Sequence, residues 1–136
     1  MKRRERRCSV WEGILGEADW PRSSTLVAEH DSAVIGFAFI GPTRDDDADP
    51  SVTGEVMMIY LLLGEWRKGV GRALMDSALA TLGEAGFEEA TLWVLDANDP
   101  ARRFYEATGW FTDGAARRVE LGGLPLDEVR YRRQLG

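Results

Sequence analysis

The residues whose types and spacing most clearly suggest chemistry form a basic, glycine-containing turn. It has the sequence WRKGVGRA, residues 66–73. Glycines between a strand and a helix let the backbone curl, so that several N–H groups point at one spot. The dipole of the following helix adds partial positive charge there, and Arg67, Lys68 and Arg72 add full charges. The pattern favours a phosphate or pyrophosphate ligand; the alternative is an ordinary glycine-rich turn.

Two common phosphate motifs do not fit this turn. A Walker loop requires Ser or Thr after Gly-Lys, whereas Gly71 is followed by Arg72 and Ala73, which leaves no hydroxyl for magnesium. A dinucleotide fingerprint requires a third glycine where Leu74 stands, and an acidic residue where Thr91 stands. Neither motif therefore explains the turn.

Two other side chains could transfer protons. The phenol of Tyr105 has an ordinary pKa of about 10, so it is protonated at neutral pH and could donate to a leaving group; the alternative is a core aromatic. Glu55 could act as a general base, directly or through a water; the alternative is an exposed carboxylate at a strand end.

A covalent intermediate is disfavoured, because the one histidine, His30, falls in a predicted turn and Cys8 has no evident base. One histidine and one cysteine also give no support for a metal site.

The elements that must position these groups follow from hydrophobic periodicity. Apolar residues recur at helical spacing over residues 11–18, which predicts a short helix. The runs 25–29 and 34–41 around a polar turn predict a β-hairpin. The Asp-rich loop that follows, residues 42–52, is expected to be solvated. Residues 55–63 form a continuous apolar run, which predicts a strand buried on both faces.

The second half of the chain alternates helices and strands. An apolar stripe after the glycine turn predicts a helix that ends near Gly86, and residues 91–95 predict a buried strand. Asp99 and Pro100 predict the N-cap and the first residue of another helix. Two last strands are expected at the ranges 117–121 and 128–133. The order is α-β-β-β-α-β-α-β-β, an α/β (α+β) fold with a parallel crossover.

Two segments together resemble the GNAT superfamily of acyl-CoA-dependent N-acetyltransferases. They are EVMMIYLLLGEWRKGVGRALM, residues 55–75, and LWVLDANDPARRFYEATGW, residues 92–110. The resemblance extends over roughly residues 25–135. It implies a mixed, mostly antiparallel, twisted sheet flanked by helices. It also implies that the strand at 55–63 bulges near its end and separates from 91–95, so that the gap admits the pantetheine arm of acetyl-CoA.

The resemblance also assigns roles to individual residues. Tyr105 would protonate the leaving thiolate, and Asn98 would hydrogen-bond the coenzyme arm. If the strand bulges as expected, a free N–H near Leu61 could stabilise the oxyanion. Trp93, in the strand beside the gap, is expected to line a substrate cleft. The coenzyme contacts implied are Leu61, Leu62, Leu63, Arg67, Lys68, Gly69, Val70, Gly71, Arg72, Asn98, Ala101 and Tyr105.

Two departures from the family pattern affect these expectations. Trp66 stands where the family usually has Gln or Arg, which predicts weakened but retained coenzyme binding. The N-terminal region is shortened, with one helix where the family has a strand and longer helices. The acceptor site would then be open, completed by a second subunit in a homodimer, or incomplete. The implied activity is acetyl transfer from acetyl-CoA to a primary amine by direct attack in a ternary complex. The alternative is a non-catalytic acyl-CoA-binding module with an incomplete acceptor site.

Composition sets the remaining expectations. The 136 residues fit one acetyltransferase domain, 1–136, whose basic residues 1–8 are expected to form a flexible tail. A net charge of −6 argues against nucleic acid as a partner and is compatible with a small-molecule or peptide amine. The absence of an apolar run of about 20 residues predicts no membrane span. A single cysteine excludes an internal disulfide, which predicts the cytoplasm.

Overall fold

The computed structural model describes residues 9–13, 23–62 and 69–135, the first of these ranges by its backbone alone. Their elements in chain order are β1 (Ser9–Gly13), β2 (Ser24–His30), β3 (Ala33–Pro42), β4 (Thr53–Leu61), α1 (Val70–Glu84), β5 (Glu89–Leu95), α2 (Asp99–Ala107), β6 (Phe111–Leu121) and β7 (Leu124–Gln134). In this described part the strands form one seven-stranded sheet in the order β1-β2-β3-β4-β5-β7-β6. The β4–β5 pair is parallel and the other pairs are antiparallel. The predicted mixed, mostly antiparallel α/β architecture is confirmed.

The N-terminal helix expected over residues 11–18 is wrong where the structure describes it. Residues 11–13 belong to β1, which pairs with β2 from Ser9↔Glu29 to Gly13↔Thr25. A short apolar pattern fits a helix or a strand, and pairing along β2 satisfies the backbone groups of this segment. The edge strand that seemed to be missing is therefore present. Residues 14–22, and the tail 1–8, lie outside the described residues.

The predicted hairpin of β2 and β3 is confirmed, with a shorter turn. Asp31 and Ser32 form the two-residue turn between β2 and β3, with φ of 54° and 70°, the sign that the twist of a tight hairpin demands. His30 is thus the last residue of β2, paired with Ala33, and its side chain is only 19% exposed. The placement of His30 in a turn is therefore wrong, because the turn is two residues long rather than four.

The last two strands are longer than predicted and form a hairpin. β6 and β7 pair as far as Leu121↔Leu124, and only Gly122 and Gly123 form the turn, with φ of 59° and 85°. Glycine adopts this conformation without steric cost, so the pairing continues through residues that the sequence pattern left as a loop.

The core lies on one face of the sheet, where α1 and α2 pack. Leu74, Met75, Ala78 and Leu82 of α1 and Ala101 and Tyr105 of α2 share one buried cluster with the strands. The expectation that β4 is buried on both faces is wrong: Met58, Tyr60 and Leu62 are 48%, 50% and 45% exposed. Alternate residues of a strand point to opposite faces, and the helices among the described residues cover only one.

Candidate active site

The central feature of the site is a gap between two parallel strands. The β4–β5 ladder has three pairs, Thr53↔Glu89, Gly54↔Ala90 and Glu55↔Thr91. Beyond them β4 continues alongside β3 to Leu61, while β5 continues alongside β7 to Leu95. The two strands therefore separate after the Glu55–Thr91 pair, which is called the closed end of the gap below. Backbone groups along the facing edges lose their ladder partners there.

A β-bulge lies close to this closed end. Phe39 pairs with Met58 but Ile40 pairs with Val56, so Met57 is the extra residue of β4. The family resemblance placed the bulge near the end of the strand instead; the structure puts it where the strands begin to separate. A bulge increases the local twist, which turns β4 away from β5.

The backbone of Leu61 faces the gap. The N–H of the next residue, Leu62, donates to the carbonyl of Ile35 in β3 at 2.9 Å. Successive N–H groups of a strand point to opposite sides, so the N–H of Leu61 is directed away from β3 and towards the gap. This orientation is the one that the oxyanion role needs. Leu63 lies outside the described residues.

The N-terminus of α1 has the features of an anion site. Gly69 is its N-cap with φ of 79°, no side chain caps the helix, and no acidic residue stands in the first turn. The N–H of Ala73 donates to the carbonyl of Gly69 at 3.0 Å, so the N–H groups of Val70, Gly71 and Arg72 precede the first intrahelical bond. The Arg72 side chain is 62% exposed. The predicted partners Arg67 and Lys68 lie outside the described residues.

Gly71 joins the helix N-terminus to the other elements of the site. A Cβ at this position would lie 3.1 Å from Cδ1 of Leu61 and 3.7 Å from Cζ of Phe104. The absence of a side chain therefore lets α1 approach the end of β4 and the first turns of α2 closely. Gly71, which the sequence predicts to contact the phosphate, has this packing role in the structure.

The start of α2 is fixed by Asn98. Its Oδ1 accepts a hydrogen bond from the N–H of Ala101 at 3.3 Å, and the helix begins at Asp99. The predicted N-cap, Asp99, is therefore wrong by one residue, because Asn98 is the residue whose side chain reaches the third helical N–H. The Asn98 side chain is exposed, whereas Ala101 is buried in the core.

Tyr105 lies one turn further along α2 and is 8% exposed. Its ring packs against those of Phe104, Trp110 and Tyr131, with centroid distances of 5.6, 6.3 and 5.9 Å. Burial raises the pKa of Tyr105 to about 12. Its hydroxyl makes no hydrogen bond to any of the residues that the structure describes. A buried phenol of this kind stays protonated and keeps its donor available.

Glu55, the predicted base, is buried rather than exposed. It is 1% exposed, which rules out the alternative of a solvated strand-end carboxylate. The backbone N–H of Arg44 donates to Oε1 and its Nη2 donates to Oε2, both at 2.9 Å. Two carboxylate oxygens offer about four acceptor positions. These bonds therefore fix the orientation of the carboxylate and leave it able to accept a further hydrogen bond.

A buried charge network beside the closed end was not foreseen. The expected solvated loop is wrong at Asp45, whose side chain is 9% exposed and accepts a hydrogen bond from Nη1 of Arg130 at 2.9 Å. Arg130 is 5% exposed and also binds Asp47 and Asp113. A sequence signal did exist: Arg130 and Arg132 alternate along a predicted strand, and buried arginines require acidic partners.

Trp93 contacts this network from β5. Its Nε1 donates to Oδ1 of Asp45 at 3.0 Å, and the guanidinium carbons of Arg117 and Arg130 lie 4.2 and 5.5 Å from its ring centroid. Because Leu92 and Val94 on either side point into the core, the indole lies on the face of the sheet opposite the helices. That face borders the gap.

The described residues contain neither a metal-ligand cluster nor a membrane-spanning helix. No group of three or more His, Cys, Asp or Glu side chains there could hold a metal ion. None of the helices found there is long and apolar enough to cross a membrane.

Comparison with known proteins identifies the family. Residues 2–110 match the model of the acetyltransferase (GNAT) family. An uncharacterised N-acetyltransferase of Mycobacterium tuberculosis (strain ATCC 25618 / H37Rv) is 37% identical over 102 residues, 75% of this chain and 61% of that protein. A mycothiol acetyltransferase of Frankia casuarinae is 34% identical over 92 residues, 64% of this chain and 27% of that protein. The chain thus spans less than two thirds of the length of these relatives.

The fold is also seen in solved structures. A GNAT family acetyltransferase from Elizabethkingia anophelis, solved with acetyl-CoA bound, superposes with a TM-score of 0.73 at 11% identity, covering 93% of this chain and 97% of that one. The family model covers more than half of the chain, and it includes the separating strands, the glycine turn and the Tyr105 helix. The chain is a member of the GNAT acetyltransferase family.

Proposed function

We propose that this chain is an N-acetyltransferase that transfers the acetyl group of acetyl-CoA to a primary amine by direct attack in a ternary complex. The observation that carries the proposal is the separation of β4 and β5 beyond Glu55 and Thr91, next to the uncapped N-terminus of α1. Membership of the family and a similar fold solved with acetyl-CoA bound support it. A small molecule or a peptide could supply the amine.

The residues present fit acetyl-CoA. The backbone of Leu61 and its neighbours Leu62 and Leu63 would contact the pantetheine arm in the gap. Three N–H groups at the start of α1 point away from the helix, as a pyrophosphate requires. The residues that we place around the pyrophosphate are Arg67, Lys68, Gly69, Val70, Gly71 and Arg72. Asn98 and Ala101 at the start of α2 would border the arm, with the Asn98 amide N–H₂ free to donate after its oxygen has capped the helix.

The proton transfers are assigned to two residues. An alkylammonium has a pKa of about 10.4, so Glu55 would take one proton from it, directly or through a water. The amine nitrogen then attacks the thioester carbon, and the N–H of Leu61 would stabilise the oxyanion. The nitrogen loses its second proton to water as the tetrahedral intermediate collapses to the amide. As the carbon–sulfur bond breaks, the electron pair stays on sulfur, which receives a hydrogen bond from Tyr105.

The high pKa of Tyr105 defines its role more narrowly. A thiol has a pKa of about 8.5, whereas burial raises the pKa of this phenol to about 12. Full proton transfer from the phenol to the thiolate is therefore unfavourable at equilibrium. Tyr105 acts by donating a hydrogen bond to the sulfur as charge develops, and the thiolate takes its final proton from solvent as the product leaves.

A second candidate is a non-catalytic acyl-CoA-binding module with an incomplete acceptor site. It is favoured by the uncovered face of β3 and β4, where Phe39 and Tyr60 are 36% and 50% exposed. No other described element packs over these side chains to form an acceptor pocket. Such a module would bind acetyl-CoA without turnover on any amine.

The first experiment is calorimetric titration of acetyl-CoA into the full chain and into Arg72→Glu. The matched control is Arg118→Glu, which reverses an equally exposed arginine on β6. We expect binding to the wild type and the control, and loss of binding in Arg72→Glu. An amine screen that monitors release of free thiol then separates enzyme from module. Absence of binding to the wild type would overturn both candidates.

We also propose three further properties on the strength of the sequence. They are a single domain over residues 1–136, a cytoplasmic location, and a homodimer that completes the acceptor site. The dimer has a direct measurement in sedimentation equilibrium of the purified chain.

A further inference from the structure

The two halves of the sheet have few direct connections. In the described sheet, β1–β4 on one side and β5–β7 on the other are joined by the three residue pairs of the β4–β5 ladder. At the same end, the N–H of Glu88 donates to the carbonyl of Val52 at 2.8 Å and the hydroxyl of Thr53 donates to Glu89. On the helical face α1 packs across both halves. The opposite face has no helix among the described residues, and the gap begins immediately after the third pair. The spacing of the two strands along the gap therefore depends on what joins them at the closed end.

The loop between β3 and β4, residues 43–52, crosses that closed end. Arg44 binds Glu55 of β4 through its backbone N–H and its guanidinium. The next residue, Asp45, accepts a hydrogen bond from Trp93 of β5 at 3.0 Å. Consecutive residues of one loop thus hold the two strands that separate.

Arg130 of β7 completes the connection. Its Nη1 donates to Oδ2 of Asp45 at 2.9 Å, and it binds both oxygens of Asp47, at 2.8 and 3.0 Å. Its Nε donates to Asp113 of β6 at 2.8 Å. A planar guanidinium that binds three carboxylates from two elements fixes both their distance and their angle. The loop is therefore attached rigidly to the β5–β7 half.

We propose that Arg130 is a positioning residue, which through Asp45 and Asp47 sets the separation of β4 and β5 and with it the affinity for acetyl-CoA. This inference rests on the proposed function. Without the connection, the three-pair ladder would act as a hinge and the gap would adopt a range of widths. Binding would then have to select the competent width, which weakens the observed affinity without a change in any coenzyme contact.

Two variants and two controls test the inference. Asp45→Asn keeps the shape but removes one charge of the pair, and Arg130→Met removes the fork while keeping an unbranched apolar side chain. Arg130→Lys retains the charge without the planar fork. Arg118→Met breaks an exposed ion pair, with Asp127, on the same hairpin and is the matched control. Calorimetric Kd for acetyl-CoA is measured well below each melting temperature, so that loss of stability alone does not alter it.

We expect Asp45→Asn and Arg130→Met to raise the Kd for acetyl-CoA by about fivefold or more. Arg130→Lys should be intermediate and Arg118→Met unchanged. The KM for acetyl-CoA should rise in parallel, with kcat at saturation within about threefold of the wild type, because the contacts of the bound state are the same.

An unchanged Kd in folded Asp45→Asn would overturn this inference and leave the proposed function intact. If Arg130→Met does not fold, the Asp45→Asn result by itself tests the inference. A wild type that fails to bind acetyl-CoA would overturn the proposed function and this inference together.

Discussion

Glu55 and Thr91 face each other in the last pair of the β4–β5 ladder, immediately before the two strands separate. They are 1% and 0% exposed, so the proposed base is surrounded by protein rather than by water. The Arg44 guanidinium and backbone N–H hold its carboxylate in one orientation. Because Glu55 lies at the closed end of the gap, an amine can reach it only where the gap opens. The proton would therefore be removed close to the position from which the amine attacks.

Replacing Glu55 with Gln should lower kcat/KM about 100-fold near pH 7, because the amide cannot accept the proton of the ammonium. The deficit should shrink as the pH approaches the pKa of the amine, since the free base then exists without help. A pH–rate profile of both proteins checks this. Glu120→Gln, an exposed change on β6, should behave like the wild type; a deficit independent of pH would contradict the role of Glu55.

Removing the hydroxyl of Tyr105 by substitution with Phe should reduce kcat about 100-fold. Its hydroxyl bonds to no described residue, so the melting temperature and the Kd for acetyl-CoA should stay close to those of the wild type. Thiol-release kinetics and calorimetry measure the two quantities. A fall in affinity equal to the fall in kcat would assign the hydroxyl to binding instead.

Two glycines of α1 should respond in opposite directions to alanine. Gly69 has φ of 79°, where a Cβ costs about 1–2 kcal/mol, so Gly69→Ala should destabilise the fold. Gly83 lies inside the helix with open space around its Cβ position, so Gly83→Ala should add about 1 kcal/mol. Urea denaturation gives both free energies of unfolding. A Gly69→Ala protein as stable as the wild type would contradict the positive φ.

Acid should destabilise the protein through its paired carboxylates. Burial alone would raise the pKa of Asp113, but the Ala115 N–H and the guanidiniums of Arg130 and Arg132 together lower it. The hydrogen bond from Arg130 lowers the pKa of Asp47. The unfolded chain therefore binds more protons near and below the ordinary carboxyl pKa of about 4. Stability should be full above about pH 5 and fall as the pH drops through about 4 and lower. Urea midpoints across this range measure it; a constant midpoint would contradict the pairing.

Much of the fold could be predicted because local patterns agree with tertiary packing. The parallel crossover through α1, the hairpins and the helix that carries Tyr105 follow from apolar periodicity and turn residues. The helix predicted over residues 11–18 failed because the same few apolar residues also suit a strand, and the ladder with β2 decides between them. The two-sided burial predicted for β4 failed since hydrophobicity does not specify which layer covers each face.

The charged residues of the site were harder to predict. Asp45 and Arg130 lie 85 positions apart in the chain, so no local pattern links them, and an Asp-rich loop ordinarily remains solvated. Glu55 stays a predicted base, and its burial, which the sequence left open, depends on the Arg44 loop that folds over it. Side chains whose partners come from distant elements need the three-dimensional arrangement to be recognised.

The bulge that directs Asp113 towards Arg130 also affects how the molecule behaves in concentrated solution. β6 is an edge strand of the described sheet, and three of its residues, 113–115, stand opposite the single residue Arg130, with Gly114 at φ of 90°. A regular, flat edge of eleven residues would invite pairing with the edge of another molecule. The irregular backbone interrupts that template, and the charged side chains of Arg117 and Arg118 stand on the strand beyond it. The Arg130 network, which joins the two halves of the sheet, thereby also protects the β6 edge from aggregation.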